Sequence, residues 1–463
     1  MKLYITRHGQ SIDNENNIIQ GPDYNSVLSK QGEQDAKKLA NKLYSELLNQ
    51  EIHQVISSPL ERAVQTAQII ADKLRVPVVY DKSLIEFNPG ILTGSKDYAI
   101  NQYPEYFNIW NQRKDLDGIP GAEKGDNLQA RALYFLERYF ESSKDLVEIV
   151  ISHAGFNRSL LNTAKLKQRT QPIVYERDRI HVVEEPWQTM NVERLELAKT
   201  SQAYKIKTID QQYVLKRIFS ATEDEMQFQY RVSSHLAKEK ELLPEILYWG
   251  MRHDHSVQIL RFLEGNHIYG QTSEKQNHNL LSRTHELGQK LKTTPENLRT
   301  LHKNTLKDKI EESIMSLNNS SIKEKGLQLL KNPRYNHLVT EAPQVIVHYD
   351  LHRSNILFTE DDEIKILDLG SMVYAPEEFL PASLFMSFFM LEQGENFSLE
   401  NLLQSWPDKL NKKDVSLLMN ARAFIGFSFF EKKLSQSKYL KEDYDIFQKY
   451  INALNIIQSK YNE

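Results

Sequence analysis

Leu3-Tyr4-Ile5-Thr6-Arg7-His8-Gly9-Gln10-Ser11 opens the chain with a short apolar strand that runs straight into an Arg-His-Gly turn. Outward from it, the first half alternates. Ser29–Leu47 carries Ala36, Leu39, Ala40, Leu43 and Leu47 at helical spacing, and Gln54–Ser57 is a second short strand. Ser58-Pro59-Leu60-Glu61 then reads as a helix start, with Ser58 as cap, Pro59 at the first helical position and Glu61 three residues after the cap. Ala63, Ala67, Ile70 and Leu74 continue that helix, and Val76–Tyr80 is a third strand. Leu146–Ile151 is a nearly continuous apolar run ending in Ser152-His153-Ala154-Gly155. Apolar strands alternating with amphipathic helices predict an α/β domain with a mostly parallel sheet covered on both faces.

The pattern changes near residue 200. Gln202–Thr208 and Tyr213–Phe219 are strand-like and separated by four residues, which predicts an antiparallel hairpin. A helix over Glu223–Lys238 follows, then strands around Ile246–Gly250 and Val257–Phe262. From about residue 274 the chain reads as helical, except for strand, loop and strand segments over Val345–Asp368. A β-rich piece followed by a helix-rich piece predicts a small lobe and a large lobe. The expected division is 1–198 and 199–463, the second part splitting at about 265/266 into its two lobes.

The 463 residues suit two or three domains at roughly 100–200 residues each. Lys plus Arg total 58 against 62 for Asp plus Glu, a net charge of −4, which gives no general signal for nucleic acid. The absence of cysteine excludes disulfides, thiolate catalysis and iron–sulfur clusters. Phe379–Leu391, the most apolar stretch, falls short of the roughly 20 residues a membrane span needs, and Pro381 interrupts it. A soluble cytoplasmic protein is expected, with neither nucleic acid nor membrane as partner.

In a parallel α/β sheet, ligands bind at the carboxyl ends of the strands. Arg7, His8, Arg62, Glu86 and His153 all follow strands closely, so the topology sends two imidazoles, two guanidiniums and a carboxyl toward one edge. A neutral imidazole can attack phosphorus, the guanidiniums and second imidazole can hold the equatorial oxygens, and a carboxylic acid can protonate the leaving oxygen.

These residues recur in an order that resembles the histidine phosphatase (phosphoglycerate-mutase-like) superfamily. The matching positions run from Arg7-His8-Gly9-Gln10-Ser11 with Asn14, through Gln20-Gly21 and Ser57-Ser58-Pro59-Leu60-Glu61-Arg62-Ala63, to Leu84 with Glu86, Gly121 with Glu123, and Ser152-His153-Ala154-Gly155. The resemblance implies a doubly wound α/β/α domain over about residues 1–195. His8 would be the nucleophile and Glu86 the proton donor. Arg7, Arg62 and His153 would form the phosphate pocket, with Asn14 and Gln20 near it, and no cofactor would be required. The segment after Glu86 is short and lacks the insertion associated with the mutase branch, so hydrolysis is expected over mutation. Phe87–Tyr106 would carry leaving-group specificity.

The second half holds another set. His348-Tyr349-Asp350-Leu351-His352-Arg353-Ser354-Asn355 follows an apolar strand, and its Asp-x-x-x-x-Asn spacing is that of a kinase catalytic loop. Asp368-Leu369-Gly370 follows the strand Ile364–Leu367, and Lys216 sits on a small-lobe strand. Asp350 would accept the proton of an attacking hydroxyl, Asn355 and Asp368 would hold magnesium on the phosphates of ATP, and Lys216 would reach the α- and β-phosphates.

This half resembles the aminoglycoside phosphotransferase and choline kinase-like small-molecule kinases, with a bilobal protein-kinase-like α+β fold over about 203–463. Ile259–Gly265 resembles their hinge, so main-chain groups around Arg261 and Leu263 would bind adenine. The carboxylate partner of Lys216 is open: Glu223 and Glu225 lie near the helix start, while the preferred register places Gln229 there. Ala375-Pro376-Glu377 comes too soon after Asp368 to close a protein-kinase activation loop.

The combined expectation is a bifunctional phosphatase and small-molecule kinase. The alternatives are that one half is a non-catalytic sensor, or that the kinase inactivates an antibiotic.

Overall fold

The computed structural model describes residues 1–112, 116–140, 146–164, 180–184, 190–195, 201–208, 211–236, 242–267, 272–294, 298, 304–393, 398–435 and 441–461. The expected join at 198/199 and the end of the helix expected over Glu223–Lys238 lie outside them. Two compact units result. One comprises Met1–Ser220 with Ile246–Phe262, the other Ala221–Glu245 with Leu263–Glu463.

Among the described residues, the first unit is built on two five-stranded sheets, with a small two-stranded pairing of Ile18–Ile19 and Gly94–Ser95 beside them. The alternating half gives β1 (Lys2–Arg7), α1 (Lys30–Glu46), β2 (Gln54–Ser57), α2 (Glu61–Leu74), β3 (Val78–Tyr80), α3 (Gly125–Glu137), β4 (Val147–Ser152), α4 (Ala154–Ala164) and β5 (His181–Glu184). Strand order is β3-β2-β4-β1-β5, parallel except for the edge strand β5. All six residues of β4 are buried, which a central strand covered on both faces requires. One face packs Leu39, Leu43, Ala63, Ala67 and Ile70 of α1 and α2. The other packs Leu128, Leu133, Phe156 and Leu160 of α3 and α4.

The second sheet is antiparallel, made of β6 (Asn191–Leu195), β7 (Ser201–Lys207), β8 (Gln212–Ile218), β9 (Ile246–Met251) and β10 (Ser256–Arg261), in the order β9-β10-β8-β7-β6. Its first strand thus precedes residue 199. Period-2 alternation splits β8. Tyr213 and Leu215 join the core cluster that includes Leu133, Tyr134 and Phe135 of α3, while Val214 and Lys216 lie on the opposite face. The apolar core is therefore continuous from the first sheet, through α3, into the second.

The second unit begins with α5 (Glu223–Leu236), whose start is fixed by Thr222: its Oγ1 accepts from Glu225 N at 3.3 Å, and the Glu225 carboxylate accepts from Thr222 N at 2.8 Å. It continues with α6 (Glu274–Lys292), β11 (Gln344–His348), β12 (Ile356–Phe358), β13 (Ile364–Ile366), β14 (Met372–Pro376), α7 (Phe379–Leu384), α8 (Lys412–Leu434) and α9 (Lys441–Lys460). β11 pairs with β14 and β12 with β13, both antiparallel. The apolar stretch beginning at Phe379 is buried helix, widened to π geometry over Phe385–Met390. Among the described residues, no helix is long and apolar enough to cross a membrane.

One local expectation is corrected. Ser58 does not cap α2, which starts at Glu61 with Leu60 at the cap position and no side-chain cap bond. The Ser58 hydroxyl instead accepts from Leu60 N at 3.3 Å and meets His153 Nε2 at 2.8 Å. A long-range partner has taken the oxygen that the local rule assigned to the helix end.

Candidate functional site

β1 and β4 are parallel neighbours with Arg7 opposite Ser152, so His8 and His153 leave the sheet side by side. Their rings lie 5.0 Å apart between centroids. Gly9 passes against Gly32 at the start of α1, where a Cβ on Gly32 would sit 1.9 Å from the Gln10 carbonyl oxygen. Only glycine permits that approach.

His8 is buried and its Nδ1 lies 2.6 Å from the Gly9 carbonyl oxygen. A carbonyl can only accept, so Nδ1 carries the proton and Nε2 carries the lone pair. Arg62 Nε donates to that Nε2 at 3.3 Å, and Arg62 NH1 donates to the Tyr24 carbonyl at 2.5 Å. Burial lowers the Arg62 guanidinium to about 10; Glu86 opposes this and Arg7 adds to it. His153 is fully buried, and burial, together with His8, Arg62 and Arg7, holds it well below the usual imidazole range. The pocket gathers Arg7 and Arg62 around a buried His153 that is held neutral.

Glu86 is buried against the start of α4. Its carboxylate accepts from Phe87 N at 3.0 Å, Phe156 N at 3.1 Å and Gly155 N at 3.3 Å. A Cβ on Gly155 would come within 2.7 Å of Glu86 Oε1, so glycine there admits the carboxylate. Asn14 and Gln20 both meet the buried Ser11, three residues after His8. Asn14 N donates to Ser11 Oγ at 3.2 Å, and Gln20 Nε2 donates to it at 2.7 Å. Of the sequence-derived set, His8, Arg62 and His153 are in contact or one ring apart, and Arg7 and Glu86 act on them electrostatically.

In the second unit, His348 is the fastener. Its Nδ1 accepts from Asp350 N at 3.2 Å, so its Nε2–H donates to the Asp368 carbonyl at 2.9 Å. Burial holds this imidazole below its usual range. Asn355 Nδ2 donates to the Asp350 carbonyl at 2.9 Å, and Leu367 N donates to the Asn355 carbonyl at 2.7 Å. Asp368 has φ +63°, a left-handed backbone that a non-glycine residue holds only under constraint. Asp350, Asn355 and Asp368 are thus tied into one loop system.

Arg422 of α8 was not singled out from the sequence. It is buried, its NH2 donates to Asp350 Oδ1 at 2.6 Å, and its NH1 lies 3.4 Å from the hydroxyl of Tyr450 on α9. Burial acts to raise the Asp350 carboxyl, but His352 and Arg422 outweigh it and hold it well below the usual carboxylate range. Arg131, also missed, pairs with Glu123. Both residues carried a signal: each is a lone charge inside an apolar helical run, Ala130–Leu136 and Val415–Phe427, where an unpaired charge would be prohibitive.

Lys216 sits half-buried on β8 of the first unit. Arg261 ends β10, where its guanidinium pairs with Asp126 at 2.6 Å, and Leu263 opens the return to the second unit. Gln229 is buried on α5, with its amide nitrogen 3.5 Å from where a Cβ on Gly370 would sit, so that register faces the Asp368-Leu369-Gly370 turn.

Residues 3–182 match the model of the histidine phosphatase superfamily, branch 1. Over 171 residues the chain is 33% identical to phosphoglycerate mutase-like protein 4 of Arabidopsis thaliana, covering 36% of this chain and 73% of that one. The chain belongs to the histidine phosphatase superfamily. This phosphatase half is also 31% identical over 157 residues to phosphoserine phosphatase 1 of Hydrogenobacter thermophilus, covering 33% of this chain and 71% of that one. Residues 192–403 match the phosphotransferase enzyme family, so the chain fuses the histidine phosphatase domain to a kinase-like domain. A solved amicoumacin kinase, in complex with AMP-PNP and Ca2+, aligns with a TM-score of 0.46 at 11% identity, over 58% of this chain and 88% of that one.

Proposed function

We propose that the chain is a bifunctional enzyme of the cytoplasm. Residues 1–198 would hydrolyse a small phosphomonoester through a phosphohistidine, and residues 199–463 would transfer the γ-phosphoryl group of ATP to a hydroxyl of a small metabolite. Sugars, aminocyclitols, amino alcohols and nucleosides fit the acceptor role. The observation that carries the reading is the fixed tautomer of His8, with Nδ1–H on the Gly9 carbonyl and the Nε2 lone pair presented beside Arg62.

In the hydrolytic half, His8 Nε2 forms a bond to phosphorus as the bond to the leaving oxygen breaks, and Glu86 gives that oxygen its proton. Arg7, Arg62 and His153 bear the charge on the equatorial oxygens, with Asn14 and Gln20 at the pocket's edge. Water then attacks phosphorus, the N–P bond breaks, and Glu86 takes the water's proton. His153, held neutral at rest by burial and its cationic neighbours, gains an anionic partner when phosphate arrives.

In the kinase half, Asp350 orients the acceptor hydroxyl and takes its proton, Lys216 reaches the phosphates of ATP, and main-chain groups around Arg261 and Leu263 receive adenine. Asn355 donates from its amide nitrogen to the Asp350 carbonyl, which turns its amide oxygen elsewhere; with the Asp368 carboxylate this makes two hard oxygen donors suited to Mg2+ completed by phosphate and water. Bound there, Mg2+ would neutralise charge on the transferring phosphoryl group.

The test uses His8→Ala protein, so that no product is consumed, with Mg-ATP and a deproteinised metabolite extract. A species that gains one phosphoryl group, absent with Asp350→Ala, is the expected result. Hydrolysis of p-nitrophenyl phosphate by wild type and Asp350→Ala, lost in His8→Ala, checks the other half. Hydrolysis that survives His8→Ala would sink the phosphohistidine reading.

A further inference from the structure

Arg131 lies on α3 and is almost fully buried. Its guanidinium makes four hydrogen bonds. Nε and NH2 donate to the Glu123 carboxylate at 3.0 and 2.8 Å, and NH1 donates to the carbonyls of Ser83 at 3.0 Å and Ile85 at 2.6 Å. Ile85 immediately precedes Glu86. The guanidinium also lies 4.8 Å over the ring of Phe156, whose N–H holds the Glu86 carboxylate. One side chain therefore fixes both the backbone that delivers Glu86 and the residue its carboxylate leans on. The same segment is anchored at its start by Asp81, which pairs with Arg138 just after α3 and accepts from Ser83 N at 2.7 Å.

The opposite side of α3 is held by the second sheet. Glu137 is buried and meets Arg217 of β8 at 2.5 Å, Arg252 at 3.2 Å and His255 at 3.0 Å, the last two from the β9–β10 turn. Tyr213 reaches Gln129 at 2.7 Å. α3 is thus a beam fastened to the kinase-like sheet on one side and to the Glu86 segment on the other.

We propose that Arg131 is the positioning residue for Glu86, and that α3, braced by the second sheet, sets where the acid's proton meets the leaving oxygen. This rests on the phosphohistidine reading with Glu86 as acid. A bidentate, buried guanidinium is rigid, and a displacement of about 1 Å at a reacting group can cost roughly 100-fold. The loss has a signature. As the P–O bond breaks, the electron pair goes to the leaving oxygen, and the proton from Glu86 matters more the more basic that oxygen is. p-Nitrophenolate leaves with little help, whereas phenolate needs the proton.

The experiment measures kcat/KM, which reads the step in which the leaving group departs, for phenyl phosphate and p-nitrophenyl phosphate with full-length protein. Arg131→Met should lower the phenyl phosphate value about 100-fold and the p-nitrophenyl phosphate value less than about tenfold. Arg131→Lys should recover part of the difference. Glu123→Gln, which loosens the clamp but leaves Arg131 in place, should shift the ratio the same way by a smaller factor and serves if Arg131→Met does not fold. Equal losses on both substrates in every folded variant would reduce Arg131 to a packing residue and overturn the inference. Failure of the underlying reading is separate: it would appear as hydrolysis that persists in His8→Ala or as a wild-type rate that Glu86→Gln does not lower on phenyl phosphate.

Discussion

The His8 pocket and the Asp350 loop balance charge in opposite ways. In the first, Arg62 and Arg7 crowd two buried imidazoles; burial lowers Arg62 to about 10 and, with its cationic neighbours, holds His153 well below the usual imidazole range. Glu86 opposes the Arg62 shift, but its oxygens are taken up by main-chain N–H groups. In the second, burial acts to raise the Asp350 carboxyl, and His352 and Arg422 more than compensate. In the first site burial and cationic neighbours dominate, whereas in the second the cations around Asp350 outweigh burial. That difference teaches which ligand each site should respond to: orthophosphate for the pocket, a metal nucleotide for the loop.

The largest effect should come from removing the cation that touches His8. Arg62→Ala should lower p-nitrophenyl phosphate hydrolysis about 10²–10³-fold, the cost of losing one preorganised charge-stabilising group, and leave ATP-dependent transfer unchanged. A parallel loss in both assays would break the comparison, because the two sites would then not be electrostatically separate.

Ligand-induced stabilisation should separate them next. At 100 times its dissociation constant a ligand stabilises the fold by about 2.7 kcal/mol. Orthophosphate should raise the melting temperature of wild type and of Asp368→Asn alike, while Mg-AMP-PNP should raise it in wild type only. Orthophosphate protection lost in Asp368→Asn would contradict the assignment of the anion site to the first unit.

The smallest effect is in pH. His153 has a folded pKa below its unfolded value, so below about pH 6.5 the unfolded chain binds the extra proton and the folded state does not. Its contribution is absent above that pH and costs up to about 1.4 kcal/mol per pH unit as the solution is acidified toward the folded pKa. Denaturant unfolding at pH 7.5 and 5.5 should show this slope, reduced in His153→Gln and reduced by saturating orthophosphate in wild type. A slope unchanged by His153→Gln would place the acid lability elsewhere.

Much of both sites was legible because each sits where a local pattern ends. Arg7-His8-Gly9 and His153 follow apolar strands, and the fixed Asp350-to-Asn355 spacing survives any arrangement of the rest. Ser58 shows the limit: its cap role was a sound local inference, but β2 and β4 bring His153 to the same hydroxyl and that contact prevails. Glu225 likewise reads as a candidate partner for Lys216, yet its carboxylate closes the turn at Thr222, and Gln229 is the residue that reaches Gly370.

The sequence by itself determined the alternating α/β half and the antiparallel second sheet, and marked His8, Arg62, His153, Asp350, Asn355 and Asp368 as candidate site residues, because strand period, helix period and motif spacing are set within short stretches of chain. Only the tertiary structure decided that Arg131 grips the carbonyls before Glu86, that Arg422 meets Asp350 across 72 residues, and that α3 joins both sheets in one core. Each of these pairs residues from distant segments, and a buried guanidinium takes whichever carboxylate or carbonyl the topology brings within reach, since leaving it unpaired would cost several kcal/mol.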